Sequence, residues 1–132
     1  MLNRSLIPAA MLAAAFTFGH SAAAQAPAVH VVIVKLAEVG GAKPYAFQPA
    51  TFTVQRGDTL RFVNGSDMMH NVHFTTEAKG AKLGNTESGP YLTTKGQVYN
   101  VVIDNRFTPG TYEMVCDPHM SIGMHATLTV TK

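Results

Sequence analysis

The sequence has one cysteine, Cys116, and no tryptophan in 132 residues. An internal disulfide is therefore excluded. If the chain is exported, an unpaired cysteine is a free thiol, part of an intermolecular disulfide or a metal ligand. Charge is also scarce, since only 14% of the residues are Asp, Glu, Lys or Arg, with ten basic and eight acidic side chains. Neither sign clusters along the chain, which excludes a basic footprint for nucleic acid or a membrane surface.

Long apolar runs are absent except near the start. Arg4 precedes an apolar run at residues 6–18, and small residues follow at 21–24. This order predicts a secretory signal peptide over residues 1–24, with cleavage after Ala24 or, as second choice, after Ala26. The run is shorter than the roughly 18 residues that a membrane span needs, so we expect no membrane span after cleavage. The alternative is that the segment stays uncleaved and anchors the protein to the membrane. Residues 25–132 are predicted to form a single domain.

The rest of the chain has the pattern of short β-strands. Apolar runs with β-branched residues alternate with Gly, Pro, Asn and Asp, which favours an all-β, Greek-key β-sandwich of seven to eight strands. The predicted strands lie at residues 29–36, around 47–54, and at 59–64, 70–74, 98–103, 111–116 and 124–130. The first is almost continuously apolar, which predicts a strand covered on both sides or at a sheet edge. Residues 75–96 are predicted to form a long, partly irregular connection.

The predicted strand at residues 70–74 presents one histidine to the core. A period of two places His70, Val72 and Phe74 on the core face, and Asn71 and His73 on the outer face. We therefore predict that His73 is solvated, and His125 by the same alternation in the last strand.

A short segment between the last two predicted strands carries three side chains that bind soft metals. Cys116, His119 and Met124 lie within nine residues. Zinc sites rarely use a thioether, whereas one thiolate, two imidazoles and a weak axial Met make the trigonal site of blue copper. The second imidazole has to come from elsewhere, and His70 is the best candidate because its strand should open at the same end of the sandwich.

These residues resemble the cupredoxins, and within them the small plastocyanin and pseudoazurin type. The resemblance covers nearly all of residues 25–132 and is carried by Phe47-x-Pro49, Gly57-Asp58-Thr59, Phe62-Val63-Asn64, His70-Asn71-Val72, Gly96-x-x-Tyr99, Gly110-Thr111-Tyr112 and the Cys116 segment. It implies one type 1 copper ion bound by His70, Cys116, His119 and Met124, and one-electron transfer in the periplasm or an equivalent compartment. It also implies that Asn71 bonds across to the Cys116 segment. Plant plastocyanins have a Tyr before the ligand Cys and an acidic patch, whereas this chain has Val115 and no acidic cluster, so a photosynthetic partner is not expected.

Each candidate residue also has a simpler interpretation. His70 alone could be a partly buried histidine at a strand end, and Met124 could be a core side chain, since Met commonly fills gaps. Met68, Met69 and Met120, with Ile122 nearby, could form an apolar docking rim, collect copper through their thioethers, or only keep water from the metal.

The combined expectation is an exported, monomeric copper protein that is not an enzyme. It would shuttle single electrons between larger redox partners, such as a cytochrome or a copper enzyme, which dock near His119, Met120 and Ile122. His119 is expected to provide the exposed edge for electron entry and exit. The alternative is a periplasmic carrier that delivers copper rather than electrons.

Overall fold

The computed structural model describes residues 30–132, which form two packed four-stranded sheets. The strands are β1 (Val31–Glu38), β2 (Tyr45–Gln48), β3 (Thr51–Gln55), β4 (Thr59–Asn64), β5 (His73–Thr76), β6 (Val98–Val102), β7 (Gly110–Val115) and β8 (His125–Thr131). The first sheet has the order β2-β1-β4-β6 and the second the order β3-β8-β7-β5. The predicted β-sandwich is confirmed. The predicted signal peptide, residues 1–24, lies outside the described residues, and no helix within residues 30–132 is long and apolar enough to cross a membrane.

Alternation of apolar and polar residues builds the core between the sheets. In β8, Ala126, Leu128 and Val130 are buried while the residues between them are not. In β4, Leu60 and Phe62 have no exposed surface. Because side chains of a strand point alternately to opposite faces, each sheet turns an apolar face inward. The outer face of the first sheet nevertheless exposes Val31, Ile33, Val98 and Val102.

Strand pairing determines where the Cys116 segment lies. β7 and β8 are antiparallel, with Val115 opposite His125, so residues 116–124 connect them at one end of the sandwich. β8 then runs in parallel with β3 to the other end, where Thr131 lies opposite Gln55. There, Thr131 and Gln55 line an open cavity together with His30 and Asp58. The described part of the chain therefore begins at the end opposite to the Cys116 segment.

Two sequence predictions about strands are wrong. β1 lies inside its sheet and is covered on one side only, since Val34 and Leu36 are buried while Ile33 is 59% exposed. No layer of residues 30–132 covers the outer face of this sheet at Ile33.

The predicted strand at residues 70–74 is displaced, because β5 begins only at His73. His70 instead forms an isolated bridge with Leu92, in which the N–H of each residue donates to the carbonyl of the other at 3.0 and 2.7 Å. The backbone partner of His70 therefore lies in the long connection at residues 77–96. The only helix in that connection is one short 3₁₀ helix, Gly84–Thr86.

Candidate metal centre

The segment between β7 and β8 forms a compact loop around a short 3₁₀ helix, Asp117–Ile122. Pro118 lies in the first turn of the helix, where its missing N–H costs no hydrogen bond. Gly123 ends the helix with a φ of 91°, a conformation that a residue with a Cβ rarely adopts. The Met124 N–H donates to the His119 carbonyl at 3.2 Å, and the Cys116 N–H donates to the Met124 carbonyl at 3.2 Å. The loop is thus closed on itself by its own backbone.

The structure brings three of the predicted ligands together. Cys116 Sγ lies 3.5 Å from His70 Nδ1 and 3.3 Å from His119 Nδ1. The ligand atoms of these three residues lie within 4.8 Å of one another, and all three residues are buried. Residues 70 and 116 are 46 positions apart in the sequence, so the fold, and not local proximity, forms this cluster.

Met124 is close to the cluster in sequence and is buried without exposed surface. Its backbone hydrogen bonds join it to Cys116 and His119. The approach of its thioether to the metal stays a prediction.

Burial changes the proton affinity of all three clustered side chains. Burial, together with the neighbouring His119, lowers the pKa of His70 to about 4, and burial lowers the pKa of His119. Burial raises the pKa of the Cys116 thiol, although backbone N–H groups of Asn71 and His119 oppose the shift. At neutral pH both imidazoles are therefore neutral and can offer a lone pair, while the thiol keeps its proton until a metal displaces it.

Ser66 fixes the orientation of His70. Its Oγ lies 3.0 Å from His70 Nε2, on the side of the ring away from Cys116. A ring whose Nε2–H donates to a hydroxyl leaves Nδ1 free to bind a metal. Ser66 is not predictable from the sequence, since its only signal is a hydroxyl side chain four residues before the histidine.

A second set of hydrogen bonds joins the His70 segment to the Cys116 loop. Asn71 Nδ2 donates to Asp117 Oδ2 at 2.6 Å, and the Asp117 N–H donates to Asn71 Oδ1 at 2.8 Å. The prediction that Asn71 bonds across to the Cys116 segment is confirmed, but its placement on the outer face is wrong, because Asn71 is only 1% exposed.

His73 takes part in the same set, and its prediction as a solvated histidine is wrong. Its Nδ1 lies 2.7 Å from Asp117 Oδ1, and its side chain is about two-thirds buried. Burial opposes ionisation of Asp117, but the hydrogen bonds from His73 and Asn71 outweigh it and keep the pKa of this carboxyl below its usual value. His125, in contrast, is exposed as predicted.

An aromatic ring lies against the two histidines. The Tyr45 ring centroid is 4.1 Å from that of His119 and 5.4 Å from that of His70, and the two imidazole centroids are 4.8 Å apart. Tyr45 belongs to β2, which lies in the other sheet from β7 and β8. Tyr45 was not among the residues predicted from the sequence to lie at the site.

Apolar side chains close to the cluster in sequence are exposed. Met68, Met69, Met120 and Ile122 are between 39% and 49% exposed. His119 itself exposes 7% of its surface, so the expected exposed edge is narrow.

Comparison with known proteins identifies the metal. The family described as copper binding proteins, plastocyanin/azurin family, matches residues 33–131. The chain belongs to this plastocyanin/azurin family. Plastocyanin of Ulva prolifera is 38% identical over 100 residues, which cover 74% of this chain and 97% of that protein.

Solved structures of cupredoxins agree in fold. The Cu(I) form of an amicyanin variant superposes with a TM-score of 0.59 at 28% identity, over 79% of this chain and 85% of that one. Pseudoazurin from Methylobacterium extorquens AM1 superposes with a TM-score of 0.53 at 31% identity, over 77% of this chain and 76% of that one. The chain is a cupredoxin of the blue copper, electron-transfer type, and copper is its cofactor. One buried thiol facing two neutral imidazoles fits that metal, because thiolate and imidazole ligands suit both oxidation states of copper.

Proposed function

We propose that His70, Cys116, His119 and Met124 hold one type 1 copper ion and that the protein carries single electrons between larger redox partners. The observation that supports this most directly is the approach of Cys116 Sγ to one imidazole nitrogen from each of two remote segments, at 3.5 and 3.3 Å, inside the protein. Copper would supply a one-electron Cu(II)/Cu(I) couple at this place. Met124, buried directly before β8, would be the weakest of the four ligands.

The hydrogen bonds around the ligands suit electron transfer because they hold the ligands still. Ser66 orients His70, and the two bonds between Asn71 and Asp117 tie the His70 segment to the loop. The loop is further closed by the bonds that join Met124 to Cys116 and His119. A site held this firmly rearranges little when its charge changes, which keeps the barrier to electron transfer low.

Copper titration with visible and electron-spin spectra tests this proposal. The chain should bind one Cu(II) ion and become intensely blue, because a thiolate donates strongly to Cu(II). Cys116→Ser should lose the colour, and His125→Gln, which changes an exposed histidine, should keep it. A Cys116→Ser protein as blue as its parent would overturn the proposal.

We further propose that redox partners dock on the apolar side chains around His119. Met120 and Ile122 follow His119 in the loop, Met68 and Met69 precede His70, and all four are exposed. The partners would be cytochromes or copper enzymes of the periplasm, to which the chain would be exported as a monomer.

Kinetics with a small cytochrome test the docking surface. Met120→Lys should slow electron transfer by roughly tenfold while leaving the reduction potential nearly unchanged, since a desolvated charge opposes docking. Val102→Lys, at an exposed position on the outer face of the first sheet, is the matched control. Equal rates for the two variants would show that partners dock elsewhere.

A second candidate function is copper delivery, which the exposed thioethers of Met68, Met69 and Met120 favour, because thioethers are soft ligands for Cu(I). Transfer to a modest Cu(I) chelator separates the two functions. A carrier gives up its copper readily, whereas an electron carrier keeps it through repeated oxidation and reduction.

A further inference from the structure

The two histidines of the centre are oriented in different ways. His70 Nε2 has a hydrogen-bond partner in Ser66 Oγ at 3.0 Å. His119 Nδ1 faces Cys116 Sγ. Within residues 30–132, no side-chain hydrogen bond holds the other ring nitrogen, Nε2. An imidazole with only one fixed nitrogen can rotate about its side-chain bonds, so another contact has to hold it.

Tyr45 provides the closest aromatic contact to His119. Their ring centroids are 4.1 Å apart with the planes inclined by 37°, while the Tyr45 ring meets His70 edge-on at 5.4 Å. Tyr45 is half-buried, and its ring packs against the core as well as the imidazoles. Rotation of the His119 ring would therefore disrupt a close, tilted ring contact, and such contacts stabilise ring pairs beyond simple burial.

The strand that carries Tyr45 is itself held firmly. β2 pairs with β1, with Tyr45 opposite Glu38 and Phe47 opposite Leu36. Phe47 lies two residues after Tyr45, on the same face, and is 1% exposed. A buried anchor on the same face fixes the direction in which the Tyr45 ring points.

The same segment also covers the end of the ligand loop. A Cβ placed on Gly123 would lie 3.0 Å from Cδ of Lys43, so the aliphatic part of Lys43 lies over the glycine that ends the 3₁₀ helix. Lys43, two residues before β2, and Tyr45, the first residue of β2, therefore contact the loop at Gly123 and His119.

We propose that Tyr45 is a positioning residue of the copper centre, which holds the His119 imidazole in its ligating orientation by ring contact. This inference rests on the proposed ligand role of His119. Tyr45 acts through its ring and not through its hydroxyl, because none of the side-chain hydrogen bonds within residues 30–132 involves that hydroxyl. The ring does for His119 what the Ser66 hydroxyl does for His70.

Three variants at position 45 and one control test the proposal in the copper-loaded full chain. Tyr45→Phe keeps the ring, Tyr45→Leu keeps apolar cover without a ring, and Tyr45→Ala removes both. Tyr99→Ala is the matched control, because Tyr99 is likewise half-buried against the core but stacks on Phe62, at a centroid distance of 6.2 Å.

The first measurement is the rate of copper loss to an excess of chelator. Tyr45→Ala and Tyr45→Leu should lose copper roughly three- to tenfold faster than the parent, as expected for one aromatic contact. Tyr45→Phe and Tyr99→Ala should stay within about twofold of the parent. The second measurement is the electron-spin spectrum of the Cu(II) form, which should broaden only in the two variants without a ring.

The outcomes separate this proposal from the proposed function. A parent protein without thiolate–copper colour overturns both. A blue parent whose Tyr45→Leu and Tyr45→Ala variants keep their copper and spectrum as well as Tyr99→Ala overturns the role of Tyr45 alone. A Tyr45→Phe protein as impaired as Tyr45→Ala also overturns it, since the ring would then not be the effective group. Tyr45→Leu decides the result where Tyr45→Ala does not fold.

Discussion

At the scale of single residues, the metal centre depends on side chains that are not ligands. Ser66 Oγ lies 3.0 Å from His70 Nε2 and orients the ring, and Asp117 accepts hydrogen bonds from Asn71 and His73. The first contact holds the His70 ring, and the other two join the Cys116 loop to the segment that follows His70. The ligand atoms therefore stand close together before any metal binds.

The protonation states of the ligands predict how many protons copper displaces. At pH 7 burial keeps His70 and His119 neutral and Cys116 protonated, because it lowers the two imidazole pKa values and raises that of the thiol. Binding of one copper ion should therefore release about one proton. Calorimetric titration in two buffers of different ionisation enthalpy measures this number. Cys116→Ser should release almost none, and a release of two protons from the parent would contradict the assignment.

The lowered pKa of His70 also predicts the acid sensitivity of the copper-free protein. The pKa is 6.5 for an ordinary histidine and about 4 for His70 in the fold. Below pH 6.5 the unfolded chain binds a proton that the folded chain refuses, so the free energy of unfolding should fall as the pH decreases from 6.5 to about 4. His70 alone contributes a slope of at most about 1.4 kcal/mol per pH unit. His119, whose pKa is also lowered by burial, acts in the same direction.

Urea unfolding of the copper-free protein across this pH range checks the prediction. His70→Gln should reduce the slope in that window, while His125→Gln, which removes an exposed histidine, should not. Parallel curves for the parent and His70→Gln would show that another group causes the loss.

At the scale of secondary-structure elements, prediction from sequence succeeds where the signal is local. β4 has its predicted bounds, 59–64, since the turn at residues 56–58 and the alternation of Leu60 and Phe62 fix both its start and its inner face. β8 follows its predicted alternation for the same reason. The Cys116 loop was also predictable, because the three ligand types lie close together in the sequence.

Prediction failed where the partner is remote. His70 pairs with Leu92 in the long connection, and this pairing removes residues 70–72 from the predicted strand. His73 was placed in solvent because its partner Asp117 lies 44 positions away, and no local pattern indicates that contact. Tyr45 was missed because its contact with His119 crosses from one sheet to the other.

The inner face of β8 should affect stability without affecting the metal spectrum. Leu128 has no exposed surface and lies opposite Tyr112 of β7. Leu128→Ala should lower the free energy of unfolding by about 2–5 kcal/mol, because it leaves a cavity in the core. Thr129→Ala, its partly exposed neighbour, should change it by less than about 0.5 kcal/mol. Urea unfolding measures both, and a changed copper spectrum in Leu128→Ala would contradict the separation of core and site.

At the scale of the whole molecule, the proposed site joins parts of the chain that are far apart in sequence. His70 follows a strand of the first sheet, while Cys116, His119 and Met124 lie between two strands of the second. Unfolding separates these segments, so copper should bind the folded state much more tightly than the unfolded chain.

Copper should therefore raise the thermal unfolding midpoint. Free copper at one hundred times its dissociation constant adds about 2.7 kcal/mol to the free energy of unfolding. Calorimetry with and without copper measures the difference, which Cys116→Ser should largely abolish. Equal midpoints for the parent in both conditions would mean that the ion does not join the two segments.

His30, directly before β1, lies beside Gln55 and Thr131, whereas the Cys116 loop lies at the other end of β8. The seven residues of β8 separate these ends by roughly 20 Å. A protein attached to an electrode or a bead through a linker ahead of His30 would thus hold the end that carries the Cys116 loop away from the support. Attachment through the amino terminus should leave exchange with soluble partners unimpeded, while a linker fixed at Met120 should block it.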